Sequence, residues 1–424
     1  MWLCNMRVKL TPYTAFLLLA LAGACAARAP IVREIPTPKR LEANDSGAIL
    51  LPSPTGPYRV GRATFDAIDP TRDEPFTPDS TDHREVIFQI WYPAAADGGA
   101  PAAFVRPVPK DTVFQRYYRF VGVEKLTRVR VHAFADAPIA DAAHRYPVIL
   151  FSHGLGAVAA MYTSFLENLA SHGYIVVGID HPFFSTAFQM PDGRIVRNLS
   201  RQAFRQRDVI TQAADLSFVL DALHLLDARR SQRFHARMDL EHVGVFGHSR
   251  GGFAAPHACR SDRRFLACVN LDGWELTPQV MDSGIAQPYM HVEEIAPWEP
   301  PPTDSELVAA KQTRAQADEE ARIAKEQREA TFSRMKSGAL LVVIAGAKHV
   351  SFTDQPVIAP ERYRDISIDA RRALEITNAY LLAFFTQYLK GVEEPLLVSV
   401  PPYKEVTIER YVPGRPKEIL RGAP

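Results

Sequence analysis

The chain lacks an excess of charge of either sign. It has 49 Lys and Arg against 48 Asp and Glu, a formal net charge of +1 over 424 residues. So even a balance gives no electrostatic footprint for nucleic acid, which is not expected as a partner. Cysteine is scarce: Cys4, Cys25, Cys259 and Cys268. There is no C-x-x-C pair, no H-E-x-x-H and no other metal-ligand spacing, so neither a metal nor a cofactor is expected. No internal repeat is present, which argues against a solenoid or propeller. What the chain does have is 47% apolar and 23% charged residues, enough to bury a large core. Its length alone would allow two or three domains, although single α/β domains often run long.

The N-terminal segment reads as an export signal over residues 1–28. Arg7 and Lys9 supply positive charge, residues 15–22 are apolar, and Gly23-Ala24-Cys25-Ala26-Ala27 are mostly small. The apolar stretch suits a secretory h-region and is too short to span a bilayer. Two readings stay open: cleavage after Ala22-Gly23-Ala24, or lipidation of Cys25 as a bacterial lipoprotein with Ala22 in the lipobox leucine position. The expected location is therefore exported, periplasmic or secreted, with Cys25 as a candidate anchor. Residues 29–53 are proline-rich and read as an extended tether.

Beyond the tether, strand and helix patterns alternate. Residues 84–93 alternate like a strand, and residues 146–151 form a continuous apolar strand. Further strands are expected at 174–179, 243–246, 265–271, 289–292 and 339–345, with helices at 157–171 and 368–388. Val209, Ala213, Leu216, Leu220 and Leu223 recur at helical spacing. This order predicts a doubly wound, mostly parallel sheet. Two insertions interrupt it. Residues 104–139 mix aromatics with Arg and Lys, and read as a helix packing its aromatics inward or as a lid in peripheral contact with a membrane. Residues 303–336 are a highly charged helical stretch, read as a solvated face. Cys259 and Cys268 fall on the helix and strand after residue 249, either as free buried thiols or as a disulfide.

The densest chemical signal is Gly247-His248-Ser249-Arg250-Gly251-Gly252, between the apolar run Val243–Phe246 and a helix-forming stretch. A G-x-S-x-G turn in that context is a nucleophile elbow, which holds a serine exposed on a strained turn. Gly247 and Gly251 are needed because side chains there would clash where strand and helix meet. A serine hydroxyl needs a base, and the base needs an orienting acid. Of thirteen histidines, His349 is best placed, just after the last strong strand and C-terminal to Ser249. His153, His181 and His248 also sit at strand ends but belong to a glycine loop, a turn and the elbow itself. For the acid, Asp272 and the pair Glu293 and Glu294 end successive strands, and strand position leaves them even. Two backbone amides would form the oxyanion hole: that of Arg250, after the serine, and that of Leu155, between Gly154 and Gly156. The Arg250 side chain is expected in a salt bridge pointing away, or else on an anionic substrate group.

Three segments together resemble the plasma-type platelet-activating factor acetylhydrolase family of the α/β-hydrolase fold. They are Phe151-Ser152-His153-Gly154-Leu155-Gly156 with residues 169–176, the elbow at 247–252, and Leu271-Asp272-Gly273-Trp274. Gly56-Pro57-Tyr58-Arg59-Val60-Gly61 also resembles the family's entry into the domain. The resemblance covers residues 54–388. It implies that Asp272, 23 residues after Ser249, is the acid, and that Leu155 and Arg250 supply the oxyanion amides. It further implies hydrolysis of short or oxidised acyl esters of phospholipids without a metal. The chain departs from the family at Arg250, where an apolar residue is usual, and in the 77 residues from Asp272 to His349, lengthened by the charged helix.

The expectation is thus an α/β-hydrolase catalytic domain over residues 54–390, with helical insertions near 104–139 and 303–336, followed by a C-terminal extension over 391–424. Its candidate catalytic residues are Ser249, Asp272 and His349, and its substrate is an ester or phospholipid. A general carboxylesterase or lipase is the nearest alternative. A non-catalytic, surface-tethered binding protein is the alternative from another class.

Overall fold

The computed structural model describes residues 29–40, 47–96, 98–106, 122–141, 145–199, 206–274, 276–294 and 303–422. The signal segment with Cys25, and the aromatics Phe114, Tyr117, Tyr118 and Phe120, lie outside the described residues.

The strands of the main sheet are β1 Ile31–Ile35, β2 Arg59–Asp73, β3 His83–Ala94, β4 Tyr146–Ser152, β5 Ile175–Asp180 and β6 Met238–His248. They continue as β7 Phe265–Leu271, β8 Tyr289–Glu293, β9 Ala339–Ile344, β10 Val406–Tyr411 and β11 Glu418–Arg421. Among the described residues the sheet has 13 strands, in the order β11-β10-β9-β8-β7-β6-β4-β5-β3-β2, continued by the short strands Phe134–Ala135 and Ala100–Pro101, with β1 on β2. The run from β5 to β9 is parallel. Antiparallel pairs flank it on both sides. Seven helices matter below: α1 Thr163–Ser171, α2 Gln206–Ala228, α3 Arg250–Ser261, α4 Pro278–Ser283, α5 Asp304–Ala310, α6 Arg314–Ser333 and α7 Ala370–Lys390.

The parallel strands are apolar on both faces because helices cover both. On one face, Phe151, Phe246 and Leu271 pack with Leu166, Leu381 and Phe385 of α1 and α7. On the other, Val148, Val245 and Cys268 pack with Val209, Ala213, Leu216, Leu220 and Leu223 of α2 and with Ala254 and Ala258 of α3. The apolar stripe read in residues 209–223 is therefore the buried face of α2. Cys259 and Cys268 are free and buried.

Two segments differ from their sequence reading. Residues 31–35, read as tether, form the edge strand β1, with Ile31 opposite Ile68 and Ile35 opposite Thr64. Residues 406–411 and 418–421, read as an extension, continue the sheet beyond β9 as β10 and β11. The charged insertion is two helices, not one. It breaks at residues 311–313, where Thr313 and Gln316 form a capping box that starts α6.

Candidate active site

Chemistry in a sheet of this kind gathers at the carboxyl ends of its parallel strands. β6 ends at His248, and Ser249 follows in a conformation of φ 55° and ψ −121° before α3 begins. That backbone is sparsely populated for a residue with a side chain, and such strain clusters at active sites. The glycines make the turn feasible. A Cβ at Gly251 would lie 2.0 Å from the Ser152 carbonyl oxygen, and one at Gly247 would lie 2.2 Å from that of Gly251. Ser249 is itself half-buried, so its side chain keeps access to solvent.

Asp272 follows β7 with φ 51°, a left-handed backbone that aspartate tolerates. The residue is 1% exposed. Its Oδ2 accepts a 2.5 Å hydrogen bond from His349 Nδ1, while Oδ1 accepts from the Trp274 indole and from the Glu294 amide, both at 3.2 Å. Burial pushes this carboxyl up, but the hydrogen bond and charge of His349, with help from Trp274, outweigh it and hold it below the ordinary range. His349 opens a short turn after β9, and Trp274 stands edge-on to its ring at 5.9 Å. With Nδ1 donating to Asp272, His349 presents Nε2 as the proton acceptor. That nitrogen has no hydrogen-bond partner among the described residues.

A relay steadies this arrangement. The Gly154 amide donates to the Tyr162 hydroxyl at 3.2 Å, and Tyr162 donates to His248 Nδ1 at 2.8 Å. His248 Nε2 then donates to the His349 carbonyl at 3.0 Å. His248 uses one nitrogen as acceptor and the other as donor, so it must be neutral. Burial, and the nearby His349, push its pKa down to about 3. The relay ties the glycine loop after β4 to the histidine turn after β9, through the residue beside Ser249. His248, Asp272 and His349 bring ligand-type atoms within 4.8 Å of one another, but the hydrogen bonds just described already use both His248 nitrogens.

Leu155 is exposed at the tip of the glycine loop, and its amide has no backbone acceptor among the described residues. The loop lies against the elbow: a Cβ at Gly154 would sit 3.1 Å from the Ser249 Cβ. Arg250 is the first residue of α3, so its amide has no acceptor within the helix. Its side chain is buried, 3.8 Å from Asp208 and over the Phe184 ring, in line with the outward salt bridge expected from sequence. Of the two rival acids, Glu293 has its carboxylate engaged elsewhere. Glu293 binds Arg328 at 2.5 Å, and burial pushes its carboxyl up to about 7. Glu294 reaches Asp272 through its backbone amide.

His153 and His181 lie in a second, buried network. Ser152 Oγ lies 3.0 Å from His181 Nε2, and His181 Nδ1 donates to Asp215 at 2.8 Å. Arg84 grips both Asp215 oxygens at 3.0 and 2.6 Å. His153 donates to the Gly154 carbonyl at 2.7 Å, and its Nε2 faces Ser185 at 2.9 Å. Sequence reading missed the Tyr162–His248 relay and the Trp274 bond to Asp272. Trp274 was visible in the motif, but nothing in a sequence marks an indole N–H as an acid's partner.

A strained serine on a strand–turn–helix, with a histidine–aspartate pair beside it, defines an α/β hydrolase, and comparisons with known proteins agree. The family model described as "alpha/beta hydrolase fold" matches residues 147–348, and that described as "Platelet-activating factor acetylhydrolase, isoform II" matches residues 43–191. A platelet-activating factor acetylhydrolase of Cavia porcellus is 24% identical over 382 residues, covering 81% of this chain and 79% of its own. A probable 1-alkyl-2-acetylglycerophosphocholine esterase of Arthroderma benhamiae is 26% identical over 261 residues, covering 57% of this chain and 65% of its own. The solved ferulic acid esterase from Streptomyces cinnamoneus superposes with a TM-score of 0.67 at 27% identity, covering 85% of this chain and 99% of its own. The chain is an ester hydrolase of the α/β-hydrolase fold. Within that fold, the chain is similar to platelet-activating factor acetylhydrolases, over residues 43–191 by the family model and at 24% identity to the Cavia porcellus protein.

Proposed function

We propose that the chain is a serine ester hydrolase that cleaves short or oxidised acyl esters of phospholipids through an acyl-enzyme, with Ser249 as nucleophile, His349 as base and Asp272 as its orienting acid. The observation that carries this reading is the 2.5 Å bond from His349 Nδ1 to a buried Asp272, beside a serine held at φ 55°. Ser249 Oγ attacks the ester carbonyl while His349 Nε2 takes its proton. The Leu155 and Arg250 amides receive the developing oxyanion. His349 returns the proton to the departing alcohol, and water, activated by the same imidazole, clears the acyl group. Asp272 keeps the proton of the neutral ring on Nδ1 and stabilises the imidazolium that forms.

The phospholipid substrate rests on the likeness to acetylhydrolases over 81% of the chain. The likeness to a ferulic acid esterase, and the charged insertion beside the site, favour a second reading as an esterase of other alcohols. The export signal and Cys25 support action outside the cytoplasm, soluble or anchored. A panel of phospholipids differing only in the sn-2 chain, set against p-nitrophenyl and glyceride esters, tests the substrate. The first reading expects short sn-2 chains to be preferred over both. Equal or better turnover of the simple esters contradicts it.

A further inference from the structure

The charged insertion reads in sequence as a solvated face, and its outer side is one: Arg322 pairs with Glu319 and Glu326 in solvent. Its inner side does something else. Ala317, Ala321 and Ala324 of α6 recur at helical spacing and, with Trp274 and Phe332, wall a cavity of about 500 Å³. The floor is polar, formed by His291, Glu293 and Arg328.

The hydrogen bonds fix what this floor offers. The Asn270 amide is oriented by Gly273, whose N–H it accepts at 2.8 Å and whose carbonyl it donates to at 2.9 Å. Its Nδ2 also donates to the Tyr289 hydroxyl at 3.2 Å. Tyr289 is then free to donate to His291 Nδ1, at 3.2 Å. Burial pushes His291 down to about 3 and keeps it neutral, and with Tyr289 donating to Nδ1 its one ring proton sits on Nε2. Among the described residues that buried N–H has no hydrogen-bond partner, and Glu293 Oε2 lies 3.4 Å from it. A buried donor without an acceptor is costly, and one that faces a cavity points to a ligand atom. A single hydroxyl would satisfy both groups, accepting from His291 and donating to Glu293.

The place of the cavity says which part of an ester would enter it. Sheet order sets the loop after β4, with Leu155, on one side of Ser249, and Asp272, Glu293 and His349, after β7, β8 and β9, on the other. The oxyanion faces the first side. The departing oxygen must face His349, which protonates it. The cavity lies on that side: Trp274, part of its wall, also stands edge-on to the His349 ring at 5.9 Å.

We propose that this cavity is the leaving-alcohol subsite and takes an alcohol bearing a second hydroxyl, with its carbon skeleton on the alanine face of α6 and that hydroxyl between His291 and Glu293. The inference rests on the ester-hydrolase reading above and favours its second form, an esterase of other alcohols, because a phospholipid cleaved at sn-2 leaves an alcohol with no second free hydroxyl. The test measures kcat/KM of the purified chain on methyl acetate, glycerol monoacetate and a monoacetylated hexose, and on p-nitrophenyl esters from acetyl to octanoyl. Ala324→Trp fills the cavity from a half-buried helix position, and His291→Phe removes the donor. Glu326→Ala on the solvent face of α6 is the control. In each cavity variant the rate ratio of hydroxylated acetates to methyl acetate should fall by about tenfold or more, with acyl-length preference kept and the control unmoved. An unchanged ratio, or a shift in acyl-length preference instead, overturns the subsite. Wild-type protein that cleaves none of these esters overturns the hydrolase reading itself, and the subsite with it.

Discussion

Ser152, His181 and Asp215 are joined in the same bonding order as nucleophile, base and acid, at 3.0 and 2.8 Å, yet nothing about them suits catalysis. All three are fully buried. Ser152 closes a regular strand, while Ser249 sits on a strained turn with solvent access. Burial holds His181 below its ordinary pKa despite the Asp215 bond, so it stays neutral. Asp215 is claimed by Arg84 and Arg72, which hold its carboxyl far below the usual range although burial opposes them. Asp272 has no arginine partner among its described contacts; its charge is shared with His349, Trp274 and one amide. Residue types therefore do not distinguish the two sets, and the buried set is the more completely bonded, since His349 Nε2 has no partner among the described residues. Backbone strain at the serine, access, and an acid whose charge remains available to the imidazole distinguish them. The buried set lies under the glycine loop and, with His153, holds in place the strand end that carries Leu155.

The sharpest way to break this comparison is to delete one serine from each set. Ser249→Ala should lower kcat by about 10⁶-fold, read in a steady-state ester assay, and Ser152→Ala should leave most of the activity of the folded protein. Next come the acids. Asp272→Asn should cost about 10⁴-fold in kcat with little change in the denaturation midpoint. Asp215→Asn should do the reverse, destabilising the fold by about 3 kcal/mol because it strips the buried Arg84 of its bidentate partner. Equal kinetic loss in both variants would erase the distinction.

A smaller effect concerns His153. Its pKa is pushed down to about 3, chiefly by burial and by the nearby His181. The fold thus favours the neutral ring. The stability this gives is complete above the unfolded value near 6.5 and is lost as pH falls from there toward 3. The cost of His153→Asn, measured by chemical denaturation, should therefore shrink by about 1.4 kcal/mol per pH unit below 6.5. A cost independent of pH would show that His153 is not held neutral. The smallest effect is Glu293→Gln, expected to change kcat on methyl acetate by less than about threefold. A loss comparable to that of Asp272→Asn would move the acid to β8.

Much of the scaffold was legible. Residues 146–151 and 265–271 fall inside β4 and β7 because strands buried on both faces leave largely apolar runs, and residues 84–93 fall inside β3, marked by their alternation. The elbow was legible because its glycines answer a local clash. Strand position left Asp272 and Glu293 even, since both end a strand, and only the family resemblance pointed to Asp272. In the structure Glu293 pairs with Arg328, 35 residues beyond it, which no spacing rule connects. Edge strands were harder. β1 lies among prolines and alternates weakly, so only its register with β2 defines it. The Gly154–Tyr162–His248–His349 relay joins four segments by side chains and carbonyls that no spacing rule connects. The inner face of α6 was hidden because alanines at helical spacing among so many charges read as filler.

The most direct test of the central claim is to treat the protein with a fluorophosphonate and map the adduct by peptide mass spectrometry. A single adduct on the peptide carrying Ser249, absent from Ser249→Ala and unchanged in Ser152→Ala, is the predicted result. An adduct on Ser152, or equal labelling of wild type and Ser249→Ala, would contradict it.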